Sequence, residues 1–299
     1  MNLDYLIGQK VGVSTLLRER ARGSRAIIFD ACQMTSKRRV AVKILPRTLL
    51  TPLAAELVHQ EAEAAAILSH PNIATIHEVG ETEDFIFVAM QLVTGPSLID
   101  YLTMARKHVI PSKRFLPVKE TVKIIIQVLG ALDYAHRLDI VHRDIKPTNI
   151  LIDVQVRRPI ILDFGIAPTT CAFEGNSSMI TGTPPYMAPE QILNKPVDRR
   201  ADIYATGVML FEMLVTNLPL PQRSTADEVS RMRLDLKEGL FHKKPSEINL
   251  SLHCEMDQIV FKALSHDPWE RYANCDEFIT ELKAYQARHL RTQPEQAPM

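Results

Sequence analysis

The sequence predicts an α+β fold in two unequal lobes, a small N-terminal β-sheet lobe with one main helix and a larger, mainly helical C-terminal lobe. Three observations carry this expectation. Between residues 13 and about 93, short runs rich in β-branched and aromatic residues alternate with turn residues, and one Ala- and Glu-rich stretch at 57–68 interrupts them. Beyond Gly95 the apolar positions recur at helical spacing, most clearly over 118–136. A chain of 299 residues also exceeds a usual single core, so its length allows two cores or one large domain. We place the boundary at 93–95, giving parts 1–93 and 94–285. Residues 286–299, with Pro294 and Pro298 and few apolar side chains, read as a tail or linker.

Bulk composition excludes several function classes. With 35 basic and 35 acidic side chains the net charge is +0, so no overall field recruits nucleic acid or an anionic membrane. Cys32, Cys171, Cys254 and Cys275 are scattered, without a Cys-x-x-Cys pair or histidines at zinc-ligand spacing, and read as reduced thiols of a cytoplasmic protein. The N-terminus lacks a secretory signal. No window offers the ~20 apolar residues of a membrane span, and the nearest candidate, 205–215, is interrupted by Glu212.

In chain order, the first informative element is the run Arg39-Val40-Ala41-Val42-Lys43-Ile44-Leu45. The strand period of two sends Val40, Val42 and Ile44 to one face and Ala41 with Lys43 to the other. Residues 57–68 form a helix that stops before Ser69-His70-Pro71, because proline cannot continue it. Phe85-Ile86-Phe87-Val88-Ala89-Met90 is strongly β-forming and runs into Gln91-Leu92-Val93-Thr94-Gly95. Residues 106–114 read as a basic surface loop, with docking of an acidic partner as the sharper alternative. An amphipathic helix over 118–136 follows, and then two short apolar strands at 150–152 and 160–162.

Those two strands frame the stretch that organises the chain. Val141-His142-Arg143-Asp144-Ile145-Lys146-Pro147-Thr148-Asn149 precedes the first, and Asp163-Phe164-Gly165 follows the second. Alone, either is a polar loop between buried strands. Together they match the H-R-D-x-K-P-x-N and D-F-G pattern, and the chain resembles eukaryotic-type (Hanks-type) serine/threonine protein kinases. The resemblance spans about 13–285. It implies the two-lobed protein-kinase fold, ATP and Mg2+ as cofactors, and protein substrates with serine or threonine acceptors.

The resemblance also implies roles residue by residue. Asp144 accepts the hydroxyl proton, Lys146 stabilises charge near the γ-phosphate, and Asn149 and Asp163 bind magnesium. Lys43, within V-A-V-K, holds the α- and β-phosphates and is oriented by Glu61. Ile28, Ala41, Met90 and Leu151 line the adenine site, with Met90 as gatekeeper and Gln91 to Val93 as the hinge. Thr181-Gly182-Thr183-Pro184-Pro185-Tyr186-Met187-Ala188-Pro189-Glu190 is similar to the end of an activation segment. Lys146 with Thr183 favours serine or threonine over tyrosine as acceptor. Arg143 is placed to dock a phosphate on Ser177, Ser178 or, first of these, Thr181. Asp202 braces the catalytic loop, and Arg271 pairs with Glu190.

One motif departs from the family. The phosphate-binding loop falls at Ala21-Arg22-Gly23-Ser24-Arg25-Ala26, where only Gly23 remains of three glycines. Alanines there stiffen the loop and hold the backbone away from phosphates. Arg20, Arg22 and Arg25 either compensate with charge or are ordinary surface residues. The departure admits a second reading, a pseudokinase scaffold that binds nucleotide weakly. An intact base and metal set argues against it. A small-molecule phosphotransferase is a third reading, opposed by the peptide-docking look of residues 183–190. The wording of Tyr186-Met187-Ala188-Pro189-Glu190-Gln191 leans towards bacterial members of the family.

Overall fold

The structure is a computed structural model and describes residues 4–23, 26–110, 113–164, 184–220, 225–234, 241 and 243–290. These residues fall into two compact units, Met1–Gly95 with Asp153–Thr181, and Pro96–Ile152 with Gly182–Met299.

The first unit is built on a six-stranded antiparallel sheet. Its strands are β1 (Lys10–Val11), β2 (Ser14–Arg22), β3 (Ile27–Gln33), β4 (Arg38–Pro46), β5 (Ile76–Glu81) and β6 (Phe85–Gln91), in the order β1-β2-β3-β4-β6-β5. Alternation along β4 sorts the side chains as its sequence requires. Val40, Val42 and Ile44 join Leu16, Phe29 and Phe87 in one apolar layer. Ala41 joins Val88 and Met90 on the opposite face, where helix α1 (Pro52–Ala65) packs through Ala55, Val58 and Ala62.

Helix α1 starts five residues before the expected 57 and ends three before 68. The local chemistry explains the start. Pro52 takes the first helical position, where its missing N–H costs nothing, and the Thr51 hydroxyl accepts from the Ala54 N–H at 3.1 Å. Glu61 lies three residues after Val58 and four before Ala65, within the stripe that α1 buries. The same unit holds strand β8 (Arg158–Ile161). It is tied in where the Ile161 N–H meets the Asn72 carbonyl at 2.8 Å and the Ala74 N–H meets the Ile161 carbonyl at 2.9 Å.

The second unit is mainly helical. It holds α2 (Leu98–Arg106), α3 (Val118–His136), strand β7 (Ile150–Asp153) up to Ile152, then α4 (Pro189–Ile192), α5 (Arg200–Val215), α6 (Ala226–Leu234), α7 (Pro245–Ile248), α8 (Glu255–Ala263) and α9 (Cys275–His289). Helix α5 is its axis. Every residue from Ala201 to Val215 is buried, so the helix is apolar nearly all round and carries Asp202, Thr206 and Glu212 as internal polar groups. Gly207 is where α8 comes close, since a Cβ there would sit 2.7 Å from the Ala263 methyl. Helix α9 runs to His289, beyond the expected start of the tail at 286. His289 Nε2 lies 2.7 Å from Glu255 Oε2 and Leu290 is buried, which keeps this last turn wound. No described helix is long and apolar enough to cross a membrane.

Candidate active site

In the second unit the site is a loop held from below and pre-set at its tip. Asp202, at the start of α5, is wholly buried and collects three donors. The backbone N–H of His142 reaches Oδ2 at 2.8 Å, that of Arg143 reaches Oδ1 at 2.8 Å, and His136 Nε2 lies 2.8 Å from Oδ2. Burial alone would raise the Asp202 pKa, but the hydrogen bonds and electrostatic attraction from His136 and His142 hold it below the ordinary carboxylate value. One ionised carboxylate therefore fixes two consecutive peptide groups just ahead of Asp144. Arg143 takes the left-handed backbone conformation, φ 66°, which turns the chain sharply between His142 and Asp144.

Asp144 is thereby presented with its carboxylate already partnered. Lys146 Nζ sits 2.6 Å from Oδ2, and Asn149 Nδ2 donates to the same oxygen at 3.1 Å and to the Asp144 carbonyl at 2.8 Å. The first half of the stretch is anchored by His142, whose Nδ1 accepts from the Asp144 N–H at 3.2 Å, and by fully buried Ile145. Pro147 opens a single 3-10 turn that ends on Asn149. With the amide nitrogen of Asn149 spent on Asp144, its carbonyl oxygen is the part suited to a cation. Leu151 follows on β7, half-buried.

In the first unit Lys43 projects from the face of β4 that carries Ala41. Its ammonium lies 2.9 Å from Asp163 Oδ1, with the two side chains 12% and 24% exposed. Asp163 is also left-handed, φ 59°, while the next residue, Phe164, is buried. A left-handed aspartate beside a buried phenylalanine separates the two directions, carboxylate to Lys43 and ring to the core. Ile28 pairs with Lys43, and Ala41 pairs with Met90, so Ile28, Ala41 and Met90 share one apolar surface on the face that holds the lysine. Val93 is buried and Gln91 and Leu92 are half-buried where the chain leaves β6.

At the phosphate-loop position only four residues, 23–26, join β2 to β3. The Gly23 N–H donates to the Ala26 carbonyl at 2.9 Å. Ala21 is a strand residue opposite Ile28, beside a β-bulge at Glu19/Ala21. Gly165, Ser177, Ser178, Thr181 and Thr183 lie outside the described residues.

Three contacts were missed in the sequence. Gln191 reaches from α4 to the Arg143 carbonyl with Nε2 at 2.9 Å, while its Oε1 accepts from the Ala188 N–H at 2.9 Å. His136 supplies the third donor to Asp202, yet in the sequence it is only the last residue of an amphipathic helix. Asp30 is an acid in a buried strand, and the arginine pair at 18 and 20 on the strand before it was the available signal.

Comparison with known proteins follows the same lines. The family model described as "Protein kinase domain" matches residues 17–284. Among curated proteins the chain is similar to a serine/threonine-protein kinase, pkn3, of Myxococcus xanthus, with 32% identity over 290 residues, 93% of this chain and 50% of that one. It is also similar to a tyrosine-protein kinase, MasK, of Myxococcus xanthus (strain DK1622), with 32% identity over 295 residues, 94% of this chain and 44% of that one. The chain thus spans about half the length of these curated relatives, or less. Among solved structures it is similar to the kinase domain of PknI from Mycobacterium tuberculosis, with a TM-score of 0.74 and 26% identity, covering 93% of this chain and 98% of that one.

Proposed function

This chain belongs to the protein kinase family, and on that premise we propose that it transfers the γ-phosphoryl group of ATP to serine or threonine hydroxyls of protein substrates. The single observation that carries the reading is the Asp144 carboxylate, partnered by Lys146 and Asn149 on a loop that Asp202 fixes. A carboxylate so placed accepts the acceptor hydroxyl's proton as the oxygen attacks phosphorus, and the adjacent ammonium offsets charge developing on the transferred group. Lys43 supplies the charge for the non-transferred phosphates, and Glu61, in the buried stripe of α1, is the residue proposed to orient it. Ile28, Ala41, Met90, Gln91, Val93 and Leu151 are proposed adenine contacts.

Magnesium fits the donor set. Asp163 and Asn149 offer a carboxylate and an amide oxygen, the hard ligands that this cation takes alongside water and phosphate. When bound, the cation neutralises phosphate charge. We assign residues 1–93 to the small lobe and extend the large one, expected over 94–285, through the last turn of α9 to Leu290, with activation-segment phosphorylation read by Arg143 as the proposed regulation.

Preference for serine or threonine over tyrosine is supported by Lys146, partnered with Asp144, and by the serine/threonine-kinase name of the relative pkn3. Incubation with Mg-ATP and a generic protein substrate, followed by mass spectrometric mapping, tests the whole reading. Phosphoserine or phosphothreonine is the expected product, absent from Asp144→Ala and Asp163→Ala controls. A wild-type protein with no turnover at millimolar Mg-ATP, or one yielding only phosphotyrosine, overturns it.

A further inference from the structure

The sheet face that carries Lys43 ends in a charge cluster for which the proposed chemistry has no use. The register puts Asp30 beside Ala41 and Ala41 beside Met90, so these three form one row across β3, β4 and β6. Ile28 and Lys43 belong to the next row, two residues or about 7 Å further along the strands. Lys43 therefore marks one end of the Ile28, Ala41 and Met90 surface, and Asp30 marks the other.

Asp30 is 1% exposed. It receives Arg18 Nε at 2.8 Å and Arg20 Nη1 at 3.0 Å, with Arg39 Nη2 at 3.9 Å. Arg20 does more than neutralise the acid, because its other terminal nitrogen, Nη2, donates to the Val93 carbonyl at 3.2 Å. A guanidinium is planar, so anchors on both terminal nitrogens fix its orientation as well as its position. Arg18 shares the carboxylate, but its side chain is 72% exposed against 32% for Arg20. The result is a rigid, planar cation at the border of an apolar patch, beside the chain segment assigned to the adenine edge. That is the chemistry that stacks on an aromatic base.

We propose that Arg20, clamped between Asp30 and the Val93 carbonyl, is a recognition residue for the nucleoside part of the bound nucleotide. It covers the purine with its guanidinium plane and withdraws the Val93 carbonyl from ligand binding. The inference rests on the nucleotide reading given above. It places Arg20 at the end of the surface away from Lys43, so its contribution does not depend on phosphates.

Calorimetric titration of the full chain with ATP and, separately, with adenosine tests this. Arg20→Leu weakens both ligands by the same factor, about five- to tenfold for a cation stacked on a base. Arg20→Lys, which cannot hold both anchors, loses a similar factor, and Arg18→Ala binds both ligands as the wild type does. Thermal melting shows whether each variant folds. Should Arg20→Leu fail to fold, Arg20→Lys, which keeps a cation beside Asp30, carries the test. Unchanged adenosine affinity in the folded Arg20 variants overturns the inference, as does a loss confined to ATP, which would make Arg20 a phosphate contact. A wild type that binds neither ligand fails at the nucleotide reading itself, a result distinguishable from wild-type binding that the Arg20 variants leave untouched.

Discussion

Arg271 and Glu190 meet as a two-pronged ion pair, Nη1 to Oε1 at 2.7 Å and Nη2 to Oε2 at 2.8 Å, with both residues buried. The guanidinium spends its remaining donors on the carbonyls of Ser265, His266 and Arg200 and lies over the Tyr204 ring. Removing one partner leaves a buried charge without its counter-ion. Arg271→Met is therefore expected to cost roughly 3 to 5 kcal/mol in urea unfolding, and the double variant Arg271→Met with Glu190→Leu less than either single change. Equal losses in single and double variants would show that the carbonyl contacts, not the ion pair, hold this corner.

That pair was legible in the sequence because both motifs that carry it are linear. The same holds for the catalytic loop, where Asp144, Lys146 and Asn149 lie within six positions, and for β4, whose period of two assigns Lys43 its face. What the sequence concealed depends on register and reach. Arg20 and Asp30 meet only because β2 pairs with β3 through two bulges, and no alternation rule counts bulges. His136 and Gln191 act through hydrogen bonds across 66 and 48 residues of chain. The start of α1 moved for a local reason, a Thr51 cap and Pro52 ahead of the apolar pattern, which periodicity alone overlooks.

On the proposed reading, in which the Asp144 carboxylate serves the acceptor hydroxyl and not the nucleotide, Asp144→Ala is expected to abolish phosphoryl transfer while leaving ATP affinity within about twofold. Lys43→Met should damage both. Single-turnover rates beside direct ATP binding separate the two effects. Transfer by Asp144→Ala at the wild-type rate would mean that another group takes the proton.

Two buried carboxyls on α5 respond to pH in opposite senses. Asp202 titrates below its ordinary value of 3.8, so it contributes stability above that pH that is lost as pH falls through the lower folded value. Glu212 is raised above its ordinary 4.5 by burial, despite hydrogen bonds from Tyr186 Oη at 2.5 Å and Arg106 Nη2 at 2.7 Å. The folded state then keeps a proton that the unfolded chain releases. Stability falls as pH rises from 4.5 towards the raised value and is level beyond it. Glu212→Gln should remove this fall, so the variant gains on the wild type across that window. Urea unfolding from pH 4 to 8 measures it, and parallel curves for the two proteins would refute the assignment.

The described cysteines should differ sharply in reactivity. Cys275 is buried beside His136, its Sγ 3.6 Å from Nδ1, and burial holds its thiol pKa well above the ordinary value. Cys254 is exposed. A thiolate-selective alkylating reagent is expected to label Cys254 in the native protein and Cys275 only after denaturation. Labelling of native Cys275 at the rate of Cys254 would show that the base of the catalytic loop opens readily.

The phosphate loop gives the sharpest kinetic expectation. Ala21 sits in a paired strand with an ordinary negative φ, and Ala26 packs half-buried against the Ala41 surface, so neither position needs glycine for its conformation. On the proposed nucleotide reading their methyl groups limit how closely the backbone approaches phosphate, a contact made equally in the ground and transition states. Restoring both glycines should then lower KM for ATP several-fold, about 1 kcal/mol, and leave kcat within a factor of ~2. The cost falls on the fold. Glycine in the strand at 21 and the lost methyl at 26 should lower stability by ~0.5 to 1 kcal/mol each. Steady-state kinetics of the double variant, read beside its urea midpoint, separate the two effects. An unchanged KM with lowered stability would mean that the neighbouring arginines already replace the missing backbone contacts.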